Sequence, residues 1–192
     1  VSAGPRGGAV VEGTDFARWA VILCKPDAVE RSLVETVLAR ISDAGITVSE
    51  RRDMVAEPWQ AHVVYRDLLT DAKRARGTFP LCWTRRSRTA GSVALAHGER
   101  DLHARLRQLV GHTDPTMAVP GTLRGDLGHD SLAVARAEQR LVRNLVHTSD
   151  DPAAARRDFG TWYGARLNQL LTPPCCTPHQ PTMTSHPLKG DS

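Results

Sequence analysis

The chain has 192 residues, 41% of them hydrophobic, enough for one domain with a real core and too few for several. Its formal net charge of +4 comes almost wholly from arginine, since Lys25, Lys73 and Lys189 are the only lysines; guanidinium forks suit phosphate groups, although a GC-rich genome gives the same bias. No apolar run nears the ~20 residues of a membrane helix, no secretory h-region opens the chain, and Cys24, Cys82, Cys175 and Cys176 form no C-x-x-C pair. Neither a membrane protein nor a disulfide scaffold is therefore expected, and the cytoplasm is the expected compartment.

In chain order, residues 1–16 are glycine-rich without apolar periodicity and read as a flexible arm. Trp19 to Cys24 is an unbroken apolar run, a buried strand stopped by Lys25-Pro26-Asp27. Leu33, Val37, Leu38 and Ile41 predict a helix closed by Gly45, and Ile46 to Val55 a strand. A second helix is expected from Pro58 to about Leu69, with Tyr65 off its apolar stripe. Lys73 to Arg88 is basic and interleaved with aromatics. Such a run is usually a solvated loop, but it could also grip single-stranded nucleic acid by charge and stacking.

Ser92 to Ala96 predicts a strand and Arg100 to Val110 a helix, followed by a long Pro- and Gly-rich loop from Thr113 to Gly128, of a length that tends to be functional. Asp130 to Leu141 reads as a helix. Leu145 and Val146 suggest a short strand, and Ser149-Asp150-Asp151-Pro152 a helix start, the helix running to about Tyr163, so that His147 falls where strand gives way to helix. Residues 172–192 read as a Pro/Thr/Ser-rich disordered tail after a domain spanning 17–171. The adjacent Cys175-Cys176 with His179 and His186 does not match zinc spacing.

The alternation of strands and helices implies an α+β fold, a ferredoxin-like α/β sandwich with an antiparallel sheet of about four strands covered by helices. Helix-start N–H groups favour an anion near His147, although a histidine beside an apolar pair is ordinarily a hydrogen-bonded structural residue. No G-x-x-x-x-G-K-[ST] is present, which excludes a P-loop.

Four stretches change the weight of that histidine. Lys25-Pro26-Asp27-Ala28, Gly111-His112-Thr113-Asp114-Pro115, Pro120-Gly121-Thr122-Leu123-Arg124-Gly125-Asp126 and Asn144-Leu145-Val146-His147-Thr148-Ser149-Asp150 resemble, in order, the nucleoside diphosphate kinases. The similarity covers about Ala17 to Tyr163. It implies that His147 takes the γ-phosphoryl group of a nucleoside triphosphate, ATP for instance, and hands it to a nucleoside diphosphate in a ping-pong cycle. By the same resemblance Lys25, Arg107 and Arg124 are phosphate-binding cations and Thr113 a phosphate-binding hydroxyl. Asn144 contacts the sugar, Tyr65 lies near the histidine, and Ser149 and Asp158 support it. Mg²⁺ is expected on the phosphates, met through water by Asp150, and the chain is expected to form a homo-oligomer, hexamer or tetramer, with no membrane and with nucleic acid ranked last among partners.

The departures lie in particular places. Asp158 stands where the family usually has glutamate, one methylene longer. The region Leu69 to Thr78 is lengthened, leaving Phe79 as the candidate base-stacking ring. Asp130 to Leu141 is an insertion, and Thr148 replaces a glycine, which requires φ below zero there. These departures leave two alternatives: a nucleotide-binding or regulatory relative with little activity, and a phosphohistidine enzyme for an unusual nucleotide acceptor.

Overall fold

The computed structural model describes residues 14–57, 59–60, 63, 89–138, 140–164 and 171. The elements are β1 (Trp19–Cys24), α1 (Pro26–Glu30), α2 (Val34–Asp43), β2 (Thr47–Ala56), β3 (Thr89–His97), α3 (Leu102–Val110), α4 (Leu123–Leu127), α5 (Leu132–Ala137), β4 (Val146–Thr148) and α6 (Pro152–Trp162). Single 3-10 turns lie at Phe16–Arg18 and Pro115–Met117. The four strands form one antiparallel sheet in the order β2-β3-β1-β4, as the expected ferredoxin-like sandwich requires.

β1 is apolar at every position because both its faces are covered. Ala20, Ile22 and Cys24 join Val37, Leu38 and Ile41 of α2 and Leu102, Leu106 and Val110 of α3 in one core. The alternate residues Trp19, Val21 and Leu23 meet Ala155, Phe159 and Trp162 of α6 on the other face. Each large side chain so buried contributes about 1.5–3 kcal/mol before entropy is counted. β2, at one edge, is only half-buried at alternate positions and carries a bulge between Val48 and Glu50, as edge strands often do. α2 ends where expected, with Gly45 at φ 76°, a conformation that costs glycine nothing. α6 starts where expected: Asp151 accepts the Ala154 N–H at 2.7 Å, and Pro152 occupies the first turn, where its missing donor is harmless.

Several expectations need correcting. The packed chain starts before residue 17, since Phe16 is buried and its ring lies 6.5 Å from that of Phe159. Pro26 opens a short helix directly after β1. The long loop contains α4, whose N-cap Thr122 accepts the Gly125 N–H. The insertion helix is shorter than expected, Leu132–Ala137, and β3 is longer than its apolar centre suggested. β4 is only Val146–Thr148, with His147 at its centre, one residue short of the strand's end. The expected Pro58 to Leu69 helix, the basic run and the tail lie almost wholly outside the described residues. Among the described residues no helix is long and apolar enough to cross a membrane.

Candidate active site

The site forms where β1 and β4 run out side by side. Cys24 pairs with Val146, and the Lys25 N–H reaches the Leu145 carbonyl at 2.8 Å, one step beyond the ladder. Leu145, fully buried, takes φ 69°, and the Val146 N–H bonds back to the Asn144 carbonyl at 2.8 Å, which closes a γ-turn. For a leucine this backbone costs on the order of 1–3 kcal/mol and persists only if its surroundings fix it. They do: Asp27 Oδ2 accepts the Leu145 N–H at 2.9 Å, and Arg124 donates to the Asn144 carbonyl at 3.1 Å and the Val146 carbonyl at 2.7 Å. Thr148 has no positive φ, so the β-branched residue is accommodated and the strain falls at Leu145 instead.

His147 stands two residues past that turn. It pairs with Leu23, so its side chain emerges on the face that α6 covers, and so does Ser149, two residues on. Asp158, on the buried stripe of α6, points its carboxylate at both. Ser149 Oγ donates to Asp158 Oδ2 at 2.8 Å and accepts the Val21 N–H at 3.1 Å, while His147 Nε2 lies 3.4 Å from the same Asp158 oxygen. The shorter aspartate therefore reaches the imidazole directly, at the long end of a hydrogen bond, with serine holding it at a normal one. A carboxylate facing Nε2 fixes the proton there and leaves the lone pair on Nδ1. His147 keeps 22% of its side-chain surface while Asp158 keeps 5%, a half-buried imidazole on a buried carboxylate.

The cations gather on the same stretch of chain. Lys25 is buried, and its Nζ donates to the Val142 carbonyl at 2.6 Å and Asn144 Oδ1 at 2.8 Å. Burial lowers its pKa to about 8, against the opposing pull of Asp27. Asn144 passes the link on, donating from Nδ2 to the Thr113 carbonyl at 2.8 Å. Arg124 also donates to the Gly111 carbonyl at 3.0 Å, where Gly111 has φ 83° and a Cβ would meet Thr122 Oγ1 at 2.5 Å. Arg107, on α3, donates to the Asp150 carbonyl at 2.9 Å. Lys25, Arg107 and Arg124 thus all bond to main-chain carbonyls of residues 142–150, the stretch that carries His147. The neighbouring thiol of Cys24 is no rival nucleophile, because burial pushes it up to about 12.

Of the expected site residues, Lys25, Arg107, Thr113, Arg124, Asn144, His147, Ser149, Asp150 and Asp158 come together, whereas Tyr65 and Phe79 lie outside the described residues. Asp27 was missed as a support, although it belongs to the Lys25-Pro26-Asp27 motif, since only the fold brings its carboxylate to Leu145.

A sandwich whose edge strand carries a carboxylate-oriented histidine among arginines and a lysine defines a class, the enzymes that move anionic groups by way of a histidine. The model of the nucleoside diphosphate kinase family matches residues 19–167. A nucleoside diphosphate kinase of Pyrobaculum aerophilum is 31% identical over 171 residues, covering 74% of this chain and 93% of its own, and one of Mycobacterium leprae is 34% identical over 148 residues, covering 74% and 94%. Among solved structures, the crystal structure of an NDP kinase from Pyrobaculum aerophilum matches with a TM-score of 0.62 at 29% identity, over 78% of this chain and 97% of that one. The fold also matches a nucleoside-diphosphate kinase of Borrelia burgdorferi, described as a transition state mimic with bound vanadate and ADP, with a TM-score of 0.69 at 22% identity over 78% and 88%. The chain belongs to the nucleoside diphosphate kinase family. It is a phosphotransferase, and the family's phosphohistidine-mediated transfer between nucleoside tri- and diphosphates is its reaction.

Proposed function

We propose that His147 Nδ1 attacks the γ-phosphorus of a nucleoside triphosphate such as ATP. The P–N bond forms as the bond to the β,γ-bridging oxygen breaks, and the nucleoside diphosphate leaves. A terminal oxygen of a second diphosphate then attacks the phosphorus, breaking the P–N bond and returning the lone pair to Nδ1. Lys25, Arg107 and Arg124 offset phosphate charge, Thr113 adds a hydroxyl, Asn144 meets the sugar, and Ser149 and Asp158 keep the ring turned. Tyr65 near the histidine and Phe79 against the base complete the assignment. What supports it most is the Asp158 oxygen 3.4 Å from His147 Nε2, a carboxylate placed to orient the ring.

Mg²⁺ belongs to the same proposal. Among the described residues no cluster of metal-ligating side chains stands ready to hold an ion alone, and the exposed Asp150 offers one carboxylate, which fits a cation carried on the phosphates and met through water. Bound there, it would neutralise phosphate charge during the transfer.

Incubation with γ-labelled ATP tests the assignment. An acid-labile, base-stable phosphoprotein is expected from the wild type and none from His147→Ala; equal labelling of both, or of neither, overturns it. A specific observation supports a preference for an unusual acceptor. The insertion abuts the site, with the Leu132 N–H on Asp114 Oδ2 at 3.1 Å beside Thr113, and with Lys25 on Val142 where the insertion rejoins β4. Turnover of natural against modified diphosphates distinguishes the two. We propose further a cytoplasmic homo-oligomer, hexamer or tetramer, a reading that the exposed Met117 and Val119 favour and that solution mass tests.

A further inference from the structure

His103 lies on the core side of α3, buried, with each ring nitrogen 3.0 Å from a main-chain carbonyl: Nδ1 from Ser149 O and Nε2 from Phe16 O. Carbonyl oxygens only accept, so the ring must donate wherever it bonds. Neither partner is an arbitrary piece of backbone. Ser149 is the residue whose hydroxyl shares Asp158 Oδ2 with His147, and its other polar groups are already committed, the N–H to Val21 O at 3.2 Å and Oγ to the Val21 N–H. Phe16 stacks obliquely on Phe159, the residue after Asp158. One helical turn beyond His103, Arg107 takes the next carbonyl, Asp150 O. A single helix therefore grips two successive carbonyls directly after the nucleophilic strand.

We propose that His103 is a positioning residue for phosphoryl transfer, acting through an Nδ1–H bond to the Ser149 carbonyl that sets the serine and, through it, the Asp158 oxygen facing His147. The inference rests on the His147 mechanism above. The 3.4 Å reach of Asp158 makes it matter: a contact already at its long end is lost with a small drift of Ser149, and a misplacement of about 1 Å can cost on the order of 10²-fold in rate.

A neutral ring donates to only one of these carbonyls, and amide side chains separate the two possibilities. Asparagine places its NH₂ near the position of Nδ1 and keeps the Ser149 bond, glutamine places it near Nε2 and keeps the Phe16 bond, and leucine keeps neither. The measurement is the single-turnover rate of His147 phosphorylation from γ-labelled nucleoside triphosphate, with nucleotide Kd and Tm determined separately. His103→Asn should stay within about twofold of the wild type, while His103→Gln and His103→Leu slow at least about tenfold at unchanged Kd. Equal rates for the Asn and Gln variants, with loss only in Tm, would mean an ordinary structural histidine and overturn the proposal. A long-range ¹⁵N–¹H spectrum of the wild type decides independently of folding in any variant: a proton on His103 Nδ1 is expected, and a bare Nδ1 rejects the role. Wild-type protein that is never phosphorylated on His147 instead refutes the underlying mechanism, so the two failures are distinct.

Discussion

A lysine ammonium buried among carbonyl and amide oxygens carries its charge at a cost, and Lys25 shows it: desolvation lowers its pKa from 10.5 to about 8. The native state holds that proton less tightly than the unfolded chain does. This group's contribution to stability therefore improves as pH rises from about 8 to 10.5. Phosphate binding runs the other way, because the charged form is the one that attracts the anion. Nucleotide affinity should fall as pH climbs through about 8, whereas Lys25→Met should bind weakly and nearly independently of pH. Binding titrations from neutral to alkaline pH check this, and a flat wild-type curve would contradict the role given to Lys25. Asp158 supports a second prediction. Its oxygen is 2.8 Å from Ser149 Oγ but 3.4 Å from the imidazole, so Asp158→Glu should close the longer gap and preserve or raise the phosphorylation rate. Asp158→Ala should lower that rate by on the order of 10²-fold, by freeing the ring. Equal rates for the two variants would show that the carboxylate does not orient His147.

Among the elements, the insertion is fastened by charge more than by apolar packing. Arg140 bonds Asp130 at two points, 2.5 and 3.0 Å, and Asp130 Oδ2 also accepts the Arg143 N–H at 2.8 Å, which closes the base of α5. The Arg140 guanidinium holds the Asp130 carboxyl down at about 2. Because the shift is downward, its stabilisation is present above the unfolded value of 3.8 and is lost as pH falls toward about 2. Arg140→Ala should lower stability by about 1–3 kcal/mol at neutral pH, with the difference from wild type vanishing in acid, as melting curves would show. Nucleotide affinity should drop with it, since Val142, the carbonyl partner of Lys25, follows directly. Sequence pattern anticipated the elements that local signals define: β1 from its apolar run, α2 from its spacing and Gly45, α6 from Asp151-Pro152. It was blind to α4, which hides in a Pro- and Gly-rich stretch and is held by the Thr122 cap and by Arg124 reaching across to β4. Seven of the nine candidate site residues lie in the four motifs, and Arg107 and Asp158 came only with the wider resemblance. Asp27 and His103 were not legible, because each acts on backbone more than a hundred residues away or across the sheet, contacts that no local spacing encodes. A polar residue beside Leu102 on the stripe that includes Leu106 and Val110 was the one local hint of His103.

Over the whole molecule, the site draws on six separate elements at once: Lys25 after β1, Asp27 of α1, Arg107 of α3, Arg124 of α4, His147 of β4 and Asp158 of α6. Because these residues come from six elements of one packed sandwich, ligand binding is expected to be linked to global unfolding rather than to the opening of one loop. A ligand at 100 times its Kd adds about 2.7 kcal/mol, which for a chain of this size raises Tm by roughly 5–10 °C. That rise is expected with a nucleoside triphosphate and Mg²⁺, and His147→Ala should keep most of it, since binding does not need the nucleophile. Without a divalent cation, Lys25, Arg107 and Arg124 face the full charge of the triphosphate alone, so adding a chelator should remove the larger part of the shift in both proteins. A shift untouched by chelation would mean that the protein cations suffice for binding, and the part given to Asp150 would then have to be abandoned.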